Sequence, residues 1–224
     1  MEKVQDNYQA AVSREVILSL NSIALAGELD IPAAASGLVL FAHGSGSSRH
    51  SPRNKRVAQI IREAGVGTLL FDLLTPEEER IDLQTRHLRF DIPLLARRLA
   101  EATTWIKKQP ETCHLPVGYF VASTGGGAAL IAAAKLDGEI GAVVSRGGRP
   151  DLAGEALLQV LAPTLLIVGG LDDVILQLNE EALARLQCAK ELKIVPGATH
   201  LFEEPGKLEE AARLAADWFH RYLC

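Results

Sequence analysis

Residues 118–130 read GYFVASTGGGAAL: an apolar run of strand length leads into Ser123, and a glycine-rich, alanine-rich segment of helical character follows at once. A serine between a strand and a helix sits on a sharp turn, with its hydroxyl exposed at the carboxyl end of a sheet. The N–H of the next residue, Thr124, points into the same space. One turn therefore offers both a nucleophile and half of an oxyanion hole.

Outward from this stretch, short runs rich in Val, Leu and Ile recur at 38–42, 67–74, 140–145, 164–168 and 192–195. Continuous apolar runs of that length suit strands covered on both faces. Helical candidates lie between and after them, at 53–64, 92–108, 128–136, 179–188 and 208–222. In the last, Leu208, Ala211, Ala212, Ala215 and Trp218 share one face. The alternation predicts βαβ units and a mostly parallel sheet in a single α/β domain spanning 1–224. Ahead of it, 12–20 and 23–31 flank Asn21-Ser22 and read as an antiparallel hairpin. Residues 75–91 (TPEEERIDLQTRHLRFD) read as a long polar connection, either functional or a solvated surface loop.

Serine needs a base to take its proton and a carboxylate to orient that base. LLIVGGLDD (165–173) puts Asp172 just past a predicted strand, and KIVPGATHLF (193–202) puts His200 in the loop after the next one. Each residue alone carries little weight, because loop aspartates commonly cap helices and lone histidines are commonly structural. Three roles falling at three successive strand ends in the order Ser, Asp, His are a specific signal for nucleophilic catalysis. Asp173 is the rival acid, since a one-residue shift of the strand end exchanges the two. FAHGSGSS (41–48) follows the first parallel strand, and Gly44 and Gly46 leave its backbone free to turn N–H groups inward. The N–H of Ser45 is the expected second oxyanion donor, with Gly46 as the alternative. His43 is read as a structural imidazole bonded to the loop backbone.

Composition sets the outer limits. The 224 residues are 48% hydrophobic and 23% charged with a net charge of −5, which argues against nucleic acid as a partner. Residues 1–9 are polar and mixed in charge, without the apolar core of a secretory signal, and no run approaches about 18 uninterrupted apolar residues. A cytoplasmic location and no membrane association are the default expectations. Cys113, Cys188 and Cys224 are three widely spaced cysteines, suggesting ordinary reduced thiols and no metal cluster.

Through HGSGSSRHSPRN, VASTG, SRGGRPDL, VGGLDD and GATHLF the chain resembles the dienelactone-hydrolase-like branch of the α/β-hydrolase superfamily, from about Val12 onward. The resemblance implies an eight-stranded, mostly parallel sheet, no large cap domain, no cofactor, and hydrolysis of ester, lactone or thioester bonds. The family often uses cysteine as nucleophile; Ser123 stands here. A further departure is Val121, where the elbow pattern G-x-S-x-G has its first glycine. Either neighbouring small residues accommodate the branched side chain, or the elbow is strained and activity is feeble.

Arg49, Arg53, Arg86, Arg89, Arg146 and Arg149 are all expected near the carboxyl ends of strands, where open α/β sheets bind ligands. Arg146 and Arg149 are the leading substrate-binding candidates, because guanidinium forks suit anions. The expected activity is serine hydrolysis of a small, anionic ester or lactone by a monomer or homodimer. The competing readings are a catalytically weak ligand-binding protein of the same fold, and acyl transfer to an alcohol.

Overall fold

The computed structural model describes residues 10–224; the polar segment 1–9 lies outside the described residues. The hairpin forms as expected. β1 (Val12–Ser19) and β2 (Ala24–Ile31) pair antiparallel around a turn closed by the Leu20 N–H and the Ile23 carbonyl at 2.9 Å. β2 continues antiparallel onto β4 (Gly67–Phe71), which joins the hairpin to the parallel part of the sheet. That part comprises β4, β3 (Leu38–Ala42), β5 (Val117–Ala122), β6 (Ile140–Arg146), β7 (Thr164–Gly169) and β8 (Lys190–Val195). The eight strands lie in the order β1-β2-β4-β3-β5-β6-β7-β8.

Two apolar layers sandwich the sheet, and strand pleating assigns residues to them. In β3, Leu38, Leu40 and Ala42 face one layer and Val39 and Phe41 the other. In β5, Tyr119 and Val121 face the first and Phe120 the second. The first layer is closed by α3 (Ile92–Ile106) and α4 (Gly125–Lys135), with α5 (Asp173–Arg185) and a run of 3-10 turns over 150–159 that kinks at Gly154. The second is closed by α1 (Pro52–Glu63) and α6 (Lys207–Leu223), whose Ala211, Ala212, Ala215, Trp218 and Phe219 are buried.

The segment 75–91 is more ordered than its polarity suggests. It contains α2 (Pro76–Thr85) and a single 3-10 turn at 88–90. Thr75 caps α2 by accepting the N–H of Glu78, and the Glu78 carboxylate accepts the N–H of Thr75 in return. That capping box, with Pro76 at the first helical position, is written in the sequence as TPEE. Glu78 also takes both guanidinium arms of the buried Arg98 on α3 at 2.6 Å, and Arg98 donates to the Leu73 carbonyl. Among the described residues no helix is long and apolar enough to cross a membrane.

Candidate active site

Ser123 lies between β5 and α4 with φ +51°, the left-handed conformation that a serine occupies only under constraint from its surroundings. The constraint is visible. The Ser123 carbonyl accepts the N–H groups of Gly126 and Arg149, at 3.0 and 2.9 Å. The turn is so tight that a Cβ on Gly125 would stand 2.8 Å from the Ala42 carbonyl oxygen, and one on Gly44 would stand 3.0 Å from the Ser123 Cβ. The close approaches on this side are thus made by Gly44 and Gly125. Val121 is fully buried among the first apolar layer, paired in register with Ala42 on one side and Ser145 on the other.

His200 is delivered by the loop between β8 and α6. Its Nδ1 and the Asp172 Oδ2 are 2.7 Å apart, so the carboxylate takes the Nδ1 hydrogen and leaves Nε2 as the basic nitrogen. Asp172 is the residue before the first turn of α5; Asp173 is already in the helix and exposed. The bond thus goes to the first of the two adjacent acids. Two neighbours hold the histidine loop. Glu204 accepts from the Thr199 N–H and hydroxyl at 3.1 and 2.6 Å, and Gly169 lets the loop backbone press onto the end of β7, where a Cβ would lie 2.4 Å from the Ala198 carbonyl oxygen. Buried Phe202 takes φ +57° in the same loop.

Ser123 and His200 line one cavity of about 220 Å³, together with Gly44, Ser45, Arg53 and Arg146. Ser45 and Thr124, the two residues expected to offer oxyanion N–H groups, are joined by a 2.9 Å contact between their hydroxyls. Neither N–H meets a protein acceptor among the described residues; Ser45 lines the cavity, and Thr124 lies directly after Ser123. His43 hydrogen-bonds the backbone at both nitrogens: Nδ1 lies 3.1 Å from the Gly44 carbonyl and Nε2 accepts the Leu73 N–H at 3.2 Å. Both roles require the neutral ring, and burial holds its pKa below the ordinary histidine value.

The six arginines part company. Arg49 pairs with Asp72, Arg53 with Glu203 at 2.7 Å, and Arg89 with Asp82 at 2.5 Å. Arg86 is exposed at the C-terminal cap of α2. Arg149 is gripped by both oxygens of Asp151 at 2.8 and 2.7 Å and is not among the cavity residues. Its backbone N–H, rather than its guanidinium, reaches the elbow. The SRGGR motif (145–149) that carries Arg146 and Arg149 is therefore largely a scaffold: Gly148 sits where a Cβ would strike the Ser145 hydroxyl at 1.9 Å, and Gly147 passes under His200. Among the described residues, no group of three His, Cys, Asp or Glu side chains is placed to hold a metal ion.

Comparison with known proteins agrees with this architecture. The sequence profile of the dienelactone hydrolase family matches residues 46–223. A crystal structure of a dienelactone hydrolase from Anabaena variabilis superposes with a TM-score of 0.94 at 60% identity, covering 96% of this chain and 99% of that one. Est1E from Butyrivibrio proteoclasticus shares the fold, with a TM-score of 0.76 at 15% identity over 92% of this chain and 98% of that one. Two curated sequences from Mycobacterium tuberculosis, provisionally named phosphoribosyl transferases, are 59% identical over 94% of this chain. The chain spans about half the length of these relatives, 46% of each.

Proposed function

This chain belongs to the dienelactone hydrolase family, and on that premise we propose that it is a serine hydrolase cleaving carboxylic ester or lactone bonds of small substrates through an acyl-enzyme. The observation that carries the reading is the Asp172–His200 hydrogen bond of 2.7 Å, beside a cavity that His200 shares with a left-handed Ser123. In this reading His200 Nε2 takes the Ser123 proton as the hydroxyl oxygen attacks the carbonyl. The N–H groups of Ser45 and Thr124 receive the developing oxyanion, and the imidazolium returns its proton to the leaving alcohol. Asp172 holds the imidazole in the useful tautomer throughout. Water, activated by the same nitrogen, then releases the acid.

A cavity of about 220 Å³ without a cap domain favours short acyl groups, because long chains would find little apolar cover. The reading requires no cofactor, nucleic acid or membrane, and a cytoplasmic monomer or homodimer would serve it. The transferase name of the Mycobacterium relatives describes proteins about twice as long, and this reading does not carry that activity over to the present chain.

The test is reaction with a small fluorophosphonate, read by intact mass and peptide mapping with Ser123→Ala as control. One adduct, on Ser123 and absent from the control, is expected. Folded protein that takes up no label would overturn the reading.

A further inference from the structure

Arg146 is the last residue of β6, in register with Ala122, one residue before the elbow serine. The residue is only 6% exposed, and its Nε and Nη1 atoms are buried with no hydrogen-bond partner among the described residues. Its guanidinium lies 5.5 Å from the ring centroid of Phe202, which supports the cation on one face and offers no acceptor. Four of the other five arginines at this end of the sheet, Arg49, Arg53, Arg89 and Arg149, each have a carboxylate partner, whereas Arg146 has none among the described residues. Burial, with the neighbouring Arg53 charge second, pulls its pKa down to about 10, so it still carries its charge at neutral pH. A buried cation without a counter-charge is costly to fold around, and an anion entering the cavity would remove that cost.

The cavity supplies a second element of the same sign. The first turn of α1 borders it through Ser51, Arg53 and Asn54. Pro52 has no N–H and Ser51 Oγ accepts that of Asn54, which leaves the Arg53 N–H open at the positive end of a 12-residue helix. The Arg53 guanidinium adds a charge, shared with exposed Glu203.

We propose that Arg146, with Arg53 and the N-terminus of α1, forms a subsite for a phosphate-type group on the substrate, beside Ser123. Donors arrive from two separate elements, β6 and α1. A tetrahedral phosphate-type group carries three terminal oxygens that point apart and can meet donors from both elements at once, whereas a planar carboxylate has two oxygens confined to one plane. The inference deepens the hydrolase reading, which it takes as its premise: the ester or lactone that reaches Ser123 is phosphorylated.

The experiment is calorimetric titration of the intact protein with inorganic phosphate and, separately, with acetate, alongside fluorophosphonate labelling of the unmodified protein. Saturable phosphate binding is expected, with acetate clearly weaker. Arg146→Gln should weaken phosphate about tenfold or more, the scale of a lost charge-assisted hydrogen bond. Arg53→Gln, at a half-buried position, provides an independent arm if the first variant does not fold, and should weaken phosphate by a smaller factor. Absence of phosphate binding, or affinities unaffected by either substitution, would overturn the subsite. Acetate binding as tightly as phosphate would overturn the phosphate assignment. Labelling of Ser123 without phosphate binding sinks the subsite alone; phosphate binding without labelling sinks the hydrolase reading alone.

Discussion

Gly147 passes beneath His200 so closely that a Cβ at position 147 would lie 3.2 Å from the His200 carbonyl oxygen and 3.6 Å from the ring atoms Cε1 and Nδ1. Gly147 also holds φ +54° and donates its N–H to the Ile167 carbonyl at 2.7 Å. The strand end that carries Arg146 therefore sets the position of the histidine. Gly147→Ala is expected to cost about 1–2 kcal/mol from the left-handed backbone alone. Turnover should fall further, on the order of 100-fold, because the His200 backbone must yield to a Cβ 3.2 Å from its carbonyl oxygen and carries the catalytic ring with it. Ester kinetics beside a denaturant titration separate the two effects; a variant that loses stability and keeps its turnover would show that the ring position does not depend on this contact.

The two adjacent acids are expected to behave very differently. Asp172→Asn should lower kcat by roughly three to four orders of magnitude, since an amide favours the wrong imidazole tautomer. Asp173→Asn, at an exposed position in the first turn of α5, should stay near the parent rate. Steady-state kinetics on a short-chain ester decide it, and comparable losses in both variants would contradict the geometry.

Val121 fills the first apolar layer, and the tight approaches around the elbow fall on Gly44 and Gly125. Val121→Gly should therefore destabilise the fold by about 2–4 kcal/mol, from a cavity plus added backbone freedom in the unfolded chain. It should not raise turnover. A urea titration and an ester assay on the same preparation check both statements, and a faster enzyme would mean that the valine strains the turn after all.

Acid should destabilise the protein in two windows. His43 has its folded pKa lowered from 6.5, so the unfolded chain binds the proton more readily, and the stability this ring contributes above pH 6.5 is lost as the pH falls below it. Glu78, held below its ordinary 4.5 chiefly by its hydrogen bonds to Arg98, contributes stability above that value and loses it in stronger acid. Melting temperatures across pH 7.5 to 5 should fall from near 6.5 downward in the parent and more shallowly in His43→Asn. An undiminished slope in that variant would place the titrating group elsewhere.

Most of the framework was legible because its signals are local. A strand, a serine and a glycine-opened helix lie within 13 residues, and apolar runs covered on both faces mark each parallel strand without reference to its neighbours. The helix at 76–85 was equally local, announced by Thr75, Pro76 and Glu78, but its lack of an apolar face hides it from a reading based on hydrophobic period. The helix after Asp172 starts six residues before its apolar pattern suggests, and that shift gives Asp172 its place just ahead of the first turn.

By itself the sequence determined the α/β class, the hairpin, the strand-end positions of Ser123, Asp172 and His200, and their order along the chain. Only the tertiary structure decided what each polar group meets: that His200 bonds Asp172 and not Asp173, that Arg149 is taken by Asp151, and that Arg146 is buried beside Ser123 without a partner among the described residues. The division has a physical cause. Strand and helix patterns repeat within a few residues, whereas the fate of a charge depends on which carboxylate the fold brings within about 4 Å from a distant part of the chain, and no local pattern carries that distance.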